Sequence, residues 1–254
     1  MKTLKKPLVT AHTGCLNTLP NSIQSVIEGL NAKADIIEVD VRTTKDGVAV
    51  LLHDEEIKTP RGMRKVQDLS YEELDHLNKN EVVVRLEEVL PIVKEYKRVI
   101  NIDVKVDEAI DPMITTIEKH QMRDYTIITG CEKDRALRMK NQYRPYQVFL
   151  NVSMRRDETN KENDEAFIQT TYQDAIDTSC SGININYQIC REEFIDYANS
   201  RYMPVSVWTI DDSNEMKKFL HMGVYSITSN EVKTLVELRD QQKGKSEREP
   251  HAMK

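Results

Sequence analysis

The 254-residue chain has no apolar run longer than a few residues, so nothing in it reads as a transmembrane helix. The opening Met-Lys-Thr-Leu-Lys-Lys leads into no apolar stretch of the signal-peptide kind. Lys2, Lys5 and Lys6 are too few for a dependable membrane patch. Cysteine is scarce, and Cys15, Cys131, Cys180 and Cys190 form no C-x-x-C pair. That spacing speaks against thiolate zinc sites and redox pairs. Four thiols without an export signal point to a reducing cytoplasm. An excess of basic residues is also missing. The net charge is −6 and the isoelectric point about 5.6, which argues against broad nucleic-acid binding.

What is present fits a globular chain with a sizeable core, 39% hydrophobic and 31% charged. Short β-branched runs recur at 8–12, 35–41, 48–53, 98–104, 125–129, 146–151, 182–186, 203–208 and 224–228. Helical stretches lie near 21–32, 70–77, 86–97, 108–121, 132–142, 163–178, 191–200, 212–221 and 230–241. Alternating β and α elements predict a parallel sheet, and about eight units in this length predict an α/β barrel of the TIM type, (β/α)8. An open doubly wound sheet is the competitor, although no G-x-G-x-x-G follows the first strand. Residues 35–53 read as a hairpin turning at Asp46-Gly47. One barrel domain is expected over 1–240, followed by a polar, frayed tail over 241–254.

The chemistry gathers on four strands. In "IIEVDV", Glu38 and Asp40 are two apart and share one face, with Ile37, Val39 and Val41 on the other. "NIDVK" repeats the pattern with Asp103 and Lys105. If the apolar faces lie beneath helices, three acids and one lysine point into the barrel. Unpaired buried charge is costly, and one lysine cannot neutralise three carboxylates. A salt-bridge cluster around Lys105 is the plain reading. A bound cation is the sharper one, and oxygen-only ligands suit Mg²⁺ or Ca²⁺ rather than zinc. His12 and His53 each end a predicted strand, where barrel enzymes keep their sites, and two imidazoles around a bound phosphodiester can take a proton from the nucleophile and give one to the leaving alkoxide. His76, His120, His221 and His251 fall in helices or the tail and read as solvated surface.

Taken in order, "AHTG", "EVDVRTTKDGVAVLLHD", "LEEVL", "NIDVK", "VSVWTIDD" and "GVYSITS" resemble the glycerophosphodiester phosphodiesterases from about residue 8 to about 238. The resemblance implies a TIM barrel, one divalent cation, and hydrolysis of a small-molecule glycerophosphodiester to an alcohol and a phosphomonoester. It also implies a small insertion after the second histidine, which 54–85 can hold in reduced form. His12 and His53 match the acid–base pair, and Glu38 and Asp40 the first two metal ligands. Asp103 stands where the family usually has glutamate, Lys105 matches a substrate-side lysine, and Trp208 a residue lining the pocket.

The stretch "TAHTGCLNTLPNS" departs from that pattern, which runs H-R-G and then P-E-N. Thr13 replaces the arginine and Pro20 the glutamate. An arginine fork grips phosphate through two charged hydrogen bonds, whereas Thr13 offers the substrate one neutral donor. The site therefore reads as modified, with its acid–base and metal groups kept. A phosphodiesterase for another phospholipid-derived head group and a non-catalytic barrel that binds a phosphorylated ligand are the alternatives. Cys15 reads as a space-filler and 155–165 as a solvated loop.

Overall fold

Period-two patterning along the strands sets the architecture. The computed structural model describes residues 6–60, 62–77, 83–153 and 164–246. Their strands are β1 (Leu8–Ala11), β2 (Ile36–Thr43), β3 (Ala49–Leu51), β4 (Glu56–Thr59), β5 (Gly62–Lys65), β6 (Val99–Val104), β7 (Thr126–Cys131), β8 (Gln147–Val152), β9 (Gly182–Asn186), β10 (Val205–Trp208) and β11 (Ser226–Ser229). The helices are α1 (Ile23–Asn31), α2 (Tyr71–Leu77), α3 (Leu86–Glu95), α4 (Ile110–Lys119), α5 (Lys133–Gln142), α6 (Asp164–Asp177), α7 (Glu192–Asn199), α8 (Ser213–Met222) and α9 (Val232–Ser246). β1, β2 and β6 to β11 form an eight-stranded parallel barrel, closed because β1 pairs with both β11 and β2. Closure excludes the open doubly wound sheet.

β3 is not a barrel strand. It returns antiparallel on β2, with Val41 opposite Leu51 and Thr43 opposite Ala49. The turn between them has Gly47 at φ 78°, a left-handed value that favours glycine. Just before it, the Asp46 carboxylate accepts from Thr44 Oγ1 (2.6 Å) and from the Tyr71 amide (2.9 Å). The chain then forms the β4–β5 hairpin and α2 over a small core of Val50, Ile57, Val66, Leu69, Leu74 and Val83. This hairpin and helix stand where the insertion is expected, after His53.

Ile37, Val39 and Val41 join one continuous core with Val26 and Leu30 of α1 and Val89, Leu90 and Val93 of α3. Each such burial contributes about 1.5–3 kcal/mol, which holds the opposite face of β2 toward the barrel axis. Hydrogen bonds at the helix starts fix where the helices begin. Ser22 Oγ accepts from the Ser25 amide, and the Asp212 carboxylate accepts from the Asn214 and Glu215 amides.

The barrel interior grows more polar toward its C-terminal mouth. One end holds Ile36, Ile127 and Phe149. Gly182 makes room for the Phe149 ring, because a Cβ there would lie 2.7 Å from it. Next comes a small space lined by hydroxyls and amides, among them Thr10, Asn101, Thr129, Ser206 and Thr228. Thr129 donates to Asn101 Oδ1 (3.0 Å) and Ser226 to Ser206 (2.7 Å), so polar groups inside the barrel find partners. The carboxylates stand at the mouth.

α9 runs to Ser246, beyond the end at 241 read from the sequence. Residues 247–254 lie outside the described residues, as do 154–163, which hold most of the loop read at 155–165. No helix among the described residues is long and apolar enough to cross a membrane.

Candidate active site

β2 and β6 lie side by side with Asp40 in register with Asp103. Glu38, Asp40 and Asp103 each offer a carboxylate oxygen, and these atoms lie within 4.8 Å of one another. Glu38 is 5% exposed and Asp40 3%. Lys105 Nζ bridges Asp40 Oδ1 (2.8 Å) and Asp103 Oδ2 (3.1 Å). Burial opposes its charge, but Asp103 and Asp40 outweigh that and hold the ammonium above its ordinary pKa. The salt-bridge cluster is realised in part, since Lys105 serves two acids and leaves Glu38 with none of its salt bridges. Burial, reinforced by Asp40 and Asp103, pushes the Glu38 carboxyl well above the usual range. A compact set of three carboxylates with surplus negative charge fits a hard divalent cation.

Local backbone structure delivers these groups. The Thr13 amide donates to Glu38 Oε2 (2.9 Å). Asn21, at φ 58°, faces Asp40 twice, with Nδ2 donating to Oδ2 (2.9 Å) and Oδ1 accepting from the Asp40 amide (3.0 Å). Gly130, at φ 71°, lies on a register shift of β7 directly against Asp103. A Cβ at Gly130 would sit 2.1 Å from Asp103 Oδ1. Only glycine leaves that carboxylate its place.

His12 follows β1 at the mouth, with Nε2 3.9 Å from Glu38 Oε2 and Nδ1 3.0 Å from Asn230 Oδ1. His53 reaches the mouth by another route than the one read from the sequence. β3 ends at Leu51 and runs antiparallel, so ending a strand does not by itself bring His53 there. The Leu52 amide bonds the Asp40 carbonyl (3.2 Å), and Arg42 Nε donates to the His53 carbonyl (2.9 Å), which hold His53 level with the carboxylates. Its ring is 68% exposed and pairs with Asp54 (2.8 Å). Among the described residues no hydrogen bond or ion pair joins it to the three acids.

Trp208 ends β10 at the same mouth, and its buried indole N–H has no hydrogen-bond partner. Thr13, read from the sequence as a substrate donor, has its hydroxyl engaged by Asn21. It is buried, and its hydroxyl accepts from the Asn21 amide (2.5 Å) and donates to Asn21 Oδ1 (3.3 Å). Cys15 is buried and unpaired, with its thiol pKa raised by burial, as befits a space-filler.

A sequence model of the glycerophosphoryl diester phosphodiesterase family matches residues 12–234. The chain belongs to that family. A glycerophosphodiester phosphodiesterase of Caldanaerobacter subterraneus is 24% identical over 249 residues, covering 92% of this chain and 98% of its own. One from Arabidopsis thaliana is 24% identical over 243 residues, 89% of this chain and 71% of the relative. Among solved structures, an Oleispira antarctica phosphodiesterase in complex with the product sn-glycerol-3-phosphate superposes with a TM-score of 0.78. It is 18% identical and covers 92% of this chain and 97% of its own. The glycerophosphodiester phosphodiesterase of Thermotoga maritima superposes at 0.73, with 23% identity and 92% and 99% coverage. These two likenesses show the barrel fold.

Four residues of this family member's mouth were given no role in the reading by motif. Asn21 and Gly130 hold Asp40 and Asp103, Arg42 continues the inward face of Glu38 and Asp40, and Asn230 meets His12. Two of them carried a usable signal, Arg42 because it is two residues past Asp40 on the same strand face, and Asn21 because it matches the asparagine of the P-E-N pattern.

Proposed function

We propose that this chain is a metal-dependent glycerophosphodiester phosphodiesterase, cleaving its substrate to sn-glycerol 3-phosphate and an alcohol. The observation that carries the reading is the convergence of Glu38, Asp40 and Asp103 beside His12 with one lysine among them. These three acids hold one Mg²⁺ or Ca²⁺. When bound there, the cation supplies Lewis-acid polarisation of a phosphoryl oxygen.

The chain's own groups do the rest. Water adds to phosphorus, the bond from phosphorus to the leaving oxygen breaks, and the leaving alkoxide gains a proton. His12 and His53 are the pair that removes the proton from water and returns one to the alkoxide. Lys105, charged and facing the acids, offers the anionic diester its closest ammonium. Trp208 lines the pocket with a free indole donor. Thr13 serves the site through its amide on Glu38 and its hydroxyl on Asn21. Arg42, whose terminal nitrogens make no hydrogen bond among the described residues, offers a second cation beside His53.

Four buried free thiols suit a reducing compartment, and we place the protein in the cytoplasm with a small-molecule partner. The test is a substrate panel followed by phosphorus NMR. Glycerophosphodiesters of choline, ethanolamine, glycerol and inositol, and one lysophospholipid, are incubated with Mg²⁺, Ca²⁺ or EDTA. Cation-dependent appearance of sn-glycerol 3-phosphate from the first group supports the reading. Turnover of the lysophospholipid alone moves the substrate class, and ligand binding without turnover in any arm removes the enzyme.

A further inference from the structure

We infer that Asn230 and Asp211 are positioning residues that fix the tautomer of His12 and thereby decide which ring nitrogen faces the carboxylates. The inference rests on the proton-transfer role given to His12 above.

The Asp211 carboxylate accepts from Ser229 Oγ (3.1 Å), the Asn230 amide (2.8 Å) and Asn230 Nδ2 (2.8 Å). An ionised carboxylate has no hydrogen to give. The end of the Asn230 side chain that meets Asp211 must therefore be its NH₂. The other end, Oδ1, can only accept, and it faces His12 Nδ1 at 3.0 Å. In the neutral ring the proton must then sit on Nδ1, leaving the lone pair on Nε2. Nε2 is the nitrogen on the side of Glu38. A base that takes a proton from water needs that lone pair at the mouth, and the opposite tautomer would bury it against Asn230.

The backbone keeps the three groups in line. The His12 amide donates to the Ser229 carbonyl and the Leu16 amide to the Asn230 carbonyl, both at 3.0 Å. Leu16 and Asn230 thus join the two loops that carry the histidine and its partner. Asp211 is exposed, so the three donors that converge on it, rather than burial, give it its hold on Asn230.

The donor–acceptor logic also predicts a swap. Asp211→Asn alone puts a second amide against Asn230 and lets that side chain turn its NH₂ toward the ring. Asn230→Asp alone brings two carboxylates together. The double variant, N230D with D211N, exchanges donor for acceptor and rebuilds the same polarity. His12 again meets an acceptor.

The experiment uses the full chain labelled with ¹⁵N-histidine, the His12 signals being assigned by their loss in His12→Gln. At alkaline pH the wild type should show a protonated, pyrrole-type Nδ1 and an unprotonated, pyridine-type Nε2. Asn230→Ala should turn this into a tautomer mixture and lower kcat about 10–100-fold, the range typical for groups that orient a working ring, with KM changed less than about threefold. The double swap should restore both the tautomer and most of kcat. An unchanged tautomer in Asn230→Ala, or a folded double swap that recovers neither readout, overturns the inference. If the wild type hydrolyses none of the substrates, the catalytic reading fails by itself, and the NMR signals still test the tautomer.

Discussion

Replacing Asn21 separates two effects that the structure places on one residue. Asn21→Gly keeps the left-handed backbone at φ 58°, because glycine adopts it freely, and removes only the amide. The loss includes a hydrogen bond to the Asp40 carboxylate, about 1.5–3 kcal/mol, and orphans the buried Asp40 amide, about 1–3 kcal/mol. Because water can enter the vacated space, the combined cost should be about 2–4 kcal/mol. Asn21→Ala adds about 1–2 kcal/mol for a side chain forced into the left-handed region. At about 2–4 °C per kcal/mol for a chain of this size, the glycine variant should melt ~4–16 °C below wild type. The alanine variant should melt ~2–8 °C lower still. Thermal melts in EDTA and in saturating Mg²⁺ measure both, and cation affinity should fall in both variants because Asp40 loses its anchor. Equal melting of the two variants, or a glycine variant within about 2 °C of wild type, would refute the reasoning.

Other outcomes follow from the same geometry. His12→Ala and His53→Ala should each lower kcat roughly 10²–10⁴-fold if each ring moves a proton, as read by steady-state kinetics. A few-fold loss in both would make the rings bystanders. Lys105→Ala removes the ammonium between Asp40 and Asp103, so the cation-free protein should lose about 3–5 kcal/mol in urea unfolding. Added Mg²⁺ should recover much of that loss, and KM should rise. Thr13→Val removes the hydroxyl that ties Asn21 and orphans the buried Asn21 amide, and should cost about 1–3 kcal/mol with KM unchanged. A large rise in KM at unchanged stability would instead return Thr13 to the substrate.

The barrel was legible because strand period and burial agree. Ile37, Val39 and Val41 alternate with Glu38 and Asp40, and a closed sheet wrapped in helices gives both faces a place. The acid cluster was legible for the same reason, since parallel pairing of β2 and β6 brings "IIEVDV" and "NIDVK" together. The supports were hidden because they depend on backbone conformation rather than residue type. Gly130 matters through φ 71° and a close approach to Asp103, and nothing in "TIITGC" announces either. Asn230 lies 218 positions from His12, and only barrel closure makes them neighbours. The placement of His53 was legible only in part, since it rests on the Arg42 and Leu52 hydrogen bonds rather than on the end of a strand. The engagement of the Thr13 hydroxyl by Asn21 was hidden because the sequence does not show that the two side chains meet.

The central claim is that Glu38, Asp40 and Asp103 hold the divalent cation on which diester cleavage depends. Release of sn-glycerol 3-phosphate from glycerophosphocholine tests it most directly, measured for wild type and Glu38→Gln across a Mg²⁺ titration of EDTA-stripped protein. The account predicts no release without cation, saturable recovery in the wild type, and a curve for Glu38→Gln displaced to higher Mg²⁺ or abolished. Release that persists in EDTA, or superimposable curves for the two proteins, would contradict it.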